Sequence, residues 1–180
     1  MANPSYWQAQ FDRRANSARA WRVVAEDLVI AADLLAATFD RASLRLQFGA
    51  VARRDLRLLQ PILLLRAAAL EAFLKGRAVR KGHRFVVNGK FRPIPNAGKG
   101  HDLLLLADVT LFPLSRMERE LCSRLSPCLE LARYPVGKSW QTGIRTTFSS
   151  GHVMAVYYSL GDRRVMARLL KRLRCAVGKG

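Results

Sequence analysis

WRVVAEDLVIAADLLAATFDRASLRL, residues 21–46, decides the fold class of this chain. Trp21, Val24, Leu28, Ala31, Leu35, Phe39, Ala42 and Leu46 recur every three or four positions, while Arg22, Glu26, Asp33 and Asp40 fall off that line. A spacing that returns to one side every 3.6 residues describes an amphipathic α-helix; a strand, which alternates every second residue, does not produce it. A second helix is expected from about Asp55 to Lys81, with its ordered start near Gln60, because Pro61 is tolerated only in a first turn; Gly82 ends it. A third spans about Asp102 to Leu111, with Asp102 at its positive end. A fourth runs from Ser115 to about Ala132, opened by a capping box with Glu118, and Pro127 is expected to bend or break it. A last helix carries Val153, Val156, Tyr157, Leu160, Met166, Leu169, Leu170 and Leu173, with Gly161 as a break point.

One β signal interrupts this pattern. Phe85-Val86-Val87, Asn88-Gly89 and Lys90-Phe91-Arg92 read as a hairpin on a type I′ turn, because Asn-Gly accepts positive φ at both central positions. The expected fold is all-α: an up-and-down bundle of about five helices with a small β-hairpin insert at 84–92. Residues 18–176 form its single domain, with an N-terminal arm at 1–17 and a flexible tail at 177–180. A chain of 180 residues, half of them hydrophobic, can bury about 70% of its unfolded surface.

Cys122, Cys128 and Cys175 form neither an even disulfide set nor a CxxC pair, which points to reduced thiols. The first residues lack a secretory signal pattern, and the most apolar stretch, Ile62 to Leu74, contains Arg66 and Glu71 and is shorter than a bilayer span. A cytoplasmic location without membrane insertion is expected.

The formal charge of +18 is unevenly spread: +1 over residues 1–48, +10 over 49–100, −1 over 101–135 and +8 over 136–180. No acid occurs between Glu71 and Asp102 or after Asp162. Genome composition would explain 24 arginines against 7 lysines, but not the shortage of acids. Side by side, the two basic segments would make one phosphate-attracting face, with Lys75, Arg77, Arg80, Lys81, Arg84, Lys90, Arg92, Lys99, Arg163, Arg164 and Arg168 as its candidate nucleic-acid contacts. Trp7 and Trp140, in loop-like segments with cations nearby, are candidates for base stacking.

Three helical landmarks stand in fixed order: Leu70-Glu71-Ala72-Phe73-Leu74-Lys75, then Gly100-His101-Asp102-Leu103, then Ala132-Arg133-Tyr134-Pro135. Together they resemble the HEPN superfamily of helical domains over roughly residues 18–176. The resemblance implies a helical bundle, usually dimeric, of a kind found in toxin-antitoxin and phage-defence systems, many members being metal-independent ribonucleases. In those enzymes an Arg, four to six intervening residues and a His act on one phosphate, the imidazole moving a proton and the cation stabilising the crowded phosphorane. Arg145 and His152 have that spacing here and are the candidate catalytic pair; Arg77 and His83 share the spacing at another place. Glu71, His101, Asp102, Arg133, Tyr134 and Pro135 are read first as structural, His101 and Asp102 locking the third helix against Glu71.

Three functions fit: an RNA-directed nuclease, a noncatalytic module binding RNA, a nucleotide or a partner such as an antitoxin or a nucleotidyltransferase, and a scaffold that meets an acidic protein. Neither a metal nor a cofactor is expected, since three histidines offer little for a metal site and no Walker loop is present.

Overall fold

The computed structural model describes residues 4–46, 58–95, 101–131 and 160–178. Among them are six helices, α1 (Pro4–Ala15), α2 (Ala18–Leu46), α3 (Leu59–Arg80), α4 (Leu103–Val109), α5 (Arg116–Leu131) and α6 (Leu160–Gly178). One antiparallel hairpin, β1 (Val86–Val87) with β2 (Lys90–Phe91), lies between α3 and α4. No helix of the described residues is long and apolar enough to cross a membrane.

α3 is the central element because it is apolar on nearly every side, and such a helix is stable only when neighbours cover it all round. Ile62, Leu63, Ala67, Ala69, Leu70, Ala72, Phe73, Leu74 and Ala78 are all buried, and α2, α4, α5 and α6 all pack against them. Pro61 sits in its first turn, where a missing N–H costs nothing because no intrahelical acceptor exists there. Gly76 allows the closest approach: a Cβ there would stand 3.2 Å from both Trp21 Cβ and Val177 Cγ1. This contact and the Arg66–Asp33 pair set α2 antiparallel to α3.

The buried side of α2 is rotated from the expected line. Ala25, Val29, Ala32 and Ala42 are buried, Trp21 and Leu28 are half-buried, and Val24 is exposed. The reason lies in the acids. Glu26, Asp33 and Asp40, which the period places off the stripe, face the seams and meet Arg174, Arg66 and Arg163 there. Small residues at Ala25 and Ala32 then let α3 approach closely.

Within the stretch expected as an arm, Pro4–Ala15 form α1, a helix that holds the hairpin. Asn16, at the α1–α2 junction, gives its amide N–H to Val86 O at 2.7 Å and accepts from Val86 N at 3.2 Å, pairing with β1 as a strand would. Asp12 accepts from Gly89 N at 3.2 Å. Asn88 and Gly89 both have positive φ, 52° and 72°, as the type I′ turn requires. Phe85, buried, packs its ring 5.3 Å from Trp21, whose indole N–H reaches Ala15 O at 2.8 Å.

Helix ends follow local chemistry. α3 closes in a Schellman motif, His83 N to Ala78 O and Gly82 N to Val79 O, with Gly82 at φ 92°. α4 opens on Asp102, which accepts from Leu104 N and Leu105 N, and closes with the same motif, Phe112 N to Ala107 O and Leu111 N to Asp108 O. There the left-handed position falls to Leu111, at φ 50°, where glycine is the usual occupant. Arg77 secures this corner by donating to the Thr110 and Leu111 carbonyls, both at 3.0 Å, and Arg77 and Arg172 both stand over the Phe112 ring.

The capping box opens α5: Glu118 accepts from Ser115 N at 2.7 Å and gives its own N–H to Ser115 Oγ. Of the expected bend or break at Pro127, no break occurs: α5 continues through it, with Leu125 and Leu129 buried on either side and holding both halves to the core. Ser126, beside the proline, accepts from Leu103 N and donates to Cys122 O, tying α5 to the start of α4. α6 buries Val165, Met166, Leu169, Leu170, Leu173 and Val177, so the helix occupies residues 177–178, expected as tail.

Leu111→Gly should raise stability by about 1 kcal/mol, because the left-handed conformation costs an L-residue about 1–2 kcal/mol and this exposed side chain buries little; thermal unfolding measures it. Glu118 is buried, which alone would raise its pKa, yet hydrogen bonds from Arg172 and Ser115 bring it below the ordinary 4.5. Its contribution is therefore full above pH 4.5 and is lost as pH falls through the lowered value. Urea unfolding between pH 3 and 7 should show Glu118→Gln less stable than wild type at pH 7, by about 2 kcal/mol, with the gap closing in acid.

Candidate nucleic-acid interface

Many arginines are paired with carboxylates inside the fold. Arg124 pairs with Asp162, Arg163 with Asp40, Arg172 with Glu118 and Arg174 with Glu26, so both flanks of α6 are stitched to α2 and α5. Arg119 meets Asp108 between α5 and α4. Hydrogen bonding to these acids raises the pKa of Arg174 and Arg119 further above its ordinary value.

Three of the candidate nucleic-acid residues have partners within the fold. Lys75 lies against Glu71 and over the Trp21 ring, 5.5 Å from its centre. Arg77 fastens the 110–112 corner, and Arg163 is the Asp40 partner. Arg80 is exposed and places one guanidinium N 3.4 Å from Ala176 O at the end of α6. Lys81, Arg84, Lys90, Arg92, Arg164 and Arg168 are exposed, and none of them meets a carboxylate among the described residues. Lys99 lies outside the described residues.

These cations occupy two connected places. Lys81, Arg84, Lys90 and Arg92 follow directly from the C-terminal end of α3 into the hairpin, whose tip is exposed. Arg164 and Arg168, joined by Lys171, form a stripe with i, i+4, i+7 spacing on the solvent side of α6. The Arg80–Ala176 contact brings the C-terminal ends of α3 and α6 together, while Arg164 starts about 18 Å up the α6 axis from there.

The sequence reading missed Arg19 and Arg22. Both are exposed on the first turns of α2 and, with Arg80, Ala18, Val23, Val177 and Gly178, line a recess of about 610 Å³. No acid lines it. Trp7, placed by the sequence in a loop, is an exposed residue of α1 and borders a second groove of about 450 Å³ with Phe11, Arg14, Trp21 and Val24. The stacking candidate Trp140 lies outside the described residues.

Glu71 and His101 come together. Glu71 is buried in α3, its carboxylate shared between Lys75 Nζ and His101 Nδ1, the latter at 3.2 Å, while Asp102 caps α4. Arg77 and His83 do not share a site: Arg77 turns to the 110–112 corner, and His83 packs its ring edge-on to Phe85, 4.5 Å away. Arg145 and His152, together with Arg133, Tyr134 and Pro135, lie outside the described residues.

Two of the described thiols, buried Cys122 and half-buried Cys128, are poor nucleophiles. Burial, next to the Glu118 carboxylate, pushes Cys122 up to about 12, and burial also raises Cys128. No group of three or more His, Cys, Asp or Glu among the described residues is placed to hold a metal ion.

Comparison of the chain with protein-family models, with curated proteins and with solved structures finds no match in any of the three.

Glu71→Gln should cost about 3 kcal/mol, since it leaves Lys75 and His101 without their shared anion in a largely buried place; denaturant unfolding measures it. Iodoacetamide at pH 8 should modify exposed Cys175 first and reach Cys122 only on unfolding, as read by peptide mass spectrometry.

Proposed function

We propose that this chain is a HEPN-like helical domain that binds RNA in a bacterial defence or toxin-antitoxin setting, with metal-independent cleavage by Arg145 and His152 as its activity. The observation that carries the binding half is the sorting of charge. After the seams have taken Arg66, Lys75, Arg119, Arg124, Arg163, Arg172 and Arg174, a set of exposed cations without carboxylate partners is left on the hairpin and on α6. Such a surface favours phosphate by releasing the nucleic acid's counterions, without needing to read bases. The helical bundle is compatible with the HEPN reading, and the Glu71–His101 contact links two of its three landmark motifs.

A second reading, a noncatalytic module that docks an antitoxin or a nucleotidyltransferase, draws support from the outer side of α2. Val23, Ile30 and Leu34 are all exposed there. An apolar strip on an otherwise cationic protein suits a protein partner.

Two measurements test the reading. Single-stranded RNA should bind with an affinity that falls steeply with salt, and Lys90→Ala with Arg92→Ala should reduce the slope of log K against log salt by about 1.4, at about 0.7 per lost phosphate contact. Arg119→Ala, a residue paired with Asp108, should leave the slope unchanged. End-labelled RNA in EDTA should be cut by wild type and by His83→Ala but not by His152→Ala. Uncut RNA at high protein concentration favours the noncatalytic module, and salt-independent binding contradicts both.

A further inference from the structure

We infer that the recess between the N-terminal turns of α2 and the C-terminal ends of α3 and α6 receives a terminal phosphate of an RNA strand. The inference rests on the RNA-binding reading and gives it a subsite. Arg19 and Arg22 come from α2 and Arg80 from α3, while Ala18, Val23 and Val177 supply an apolar lining. The volume, about 610 Å³, lies within the range of small-ligand pockets, so it can admit an end nucleotide as well as its phosphate.

Charge argues for an end over a point within the strand. An internal phosphodiester carries one negative charge, which a single arginine can meet through two parallel N–H donors. A phosphomonoester carries nearly two at neutral pH and offers three acceptor oxygens. Arg19 and Arg22 at one concavity, with no acid among the described residues that line it, supply two cations for such a dianion. Each arginine is placed differently: Arg80 is anchored on Ala176 O, and Arg22 lies against the end of α6, its Nη1 2.8 Å from where a Cβ on Gly178 would stand. A glycine there leaves room for that guanidinium.

The approach to the recess is also cationic. Arg164, Arg168 and Lys171 run along the outer side of α6 towards Gly178, a direction that would lead the backbone of a strand to the pocket where its end is held.

The test compares the same single-stranded RNA with a 5′-phosphate, a 5′-hydroxyl or a 3′-phosphate, with AMP and adenosine as free competitors, against the full chain. The expected result is about tenfold tighter binding of one phosphorylated end over its hydroxyl counterpart. That ratio should fall to about one in Arg22→Ala and in Arg19→Ala, fall partly in Gly178→Ala, which displaces Arg22 and keeps its charge, and persist in Arg119→Ala. Equal binding of all three RNAs, with salt dependence intact, overturns the recess and leaves the RNA reading standing. A phosphate preference that survives Arg19→Ala and Arg22→Ala also overturns it. If no RNA binds but AMP does, over adenosine and through Arg22, the pocket takes its phosphomonoester from a free nucleotide and the RNA reading fails. If neither binds, both fail.

Discussion

A carboxylate in the helix that everything else covers is the constraint on which this fold turns. α3 is packed by four other helices, yet it carries Glu71 at a buried position. An ionised group left alone there would cost several kcal/mol, more than most single interactions return. Lys75, one turn later, and His101, before α4, share the load, and the second of these bonds fixes where α4 begins. From that point the chain is closely determined. Asp102 caps α4, Leu103 N reaches Ser126 on α5, and Arg77 closes the far corner from α3 itself.

The seams around this core are built from arginine and acid. Glu26, Asp33 and Asp40 on α2, Glu118 on α5 and Asp162 on α6 each meet a guanidinium on a neighbouring helix. Arg124–Asp162 is largely buried, whereas a pair open to solvent at both ends, such as Arg163–Asp40, serves register more than raw stability. They also explain why a strongly basic chain folds without self-repulsion dominating: its few acids stand where the helices meet, and the cations left over face outward.

Much of this was legible because it depends on local chemistry. Asn88-Gly89 dictates a type I′ turn, Ser115 with Glu118 dictates a helix start, and Gly82 after a helical run dictates its end; each is a statement about a few dihedral angles. The phase of α2 was not legible, since Val24 and Ala25 are equally acceptable to a 3.6-residue period and only the partners of Glu26 and Asp33 choose between them. Arg19 and Arg22 were hidden for a related reason. Block sums let nearby acids cancel them, whereas in space those acids neutralise Arg66, Arg163 and Arg174. The same arithmetic does not show that Lys75, Arg77 and Arg163 have partners within the fold. α1 escaped notice because its exposed Tyr6, Trp7 and Phe11 give it little amphipathic pattern; what orders it is the docking of the hairpin onto Asp12 and Asn16.

The proposed RNA-binding surface centres on the end of the bundle where α3 gives way to the hairpin, α6 terminates and α2 begins. Photo-crosslinking with 4-thiouridine-substituted RNA, followed by peptide mapping, locates the bound strand without altering any residue. Cross-links should concentrate in peptides covering residues 80–92, 164–178 and 18–23. Cross-links confined to α5, whose arginines are largely paired with acids, would contradict the account.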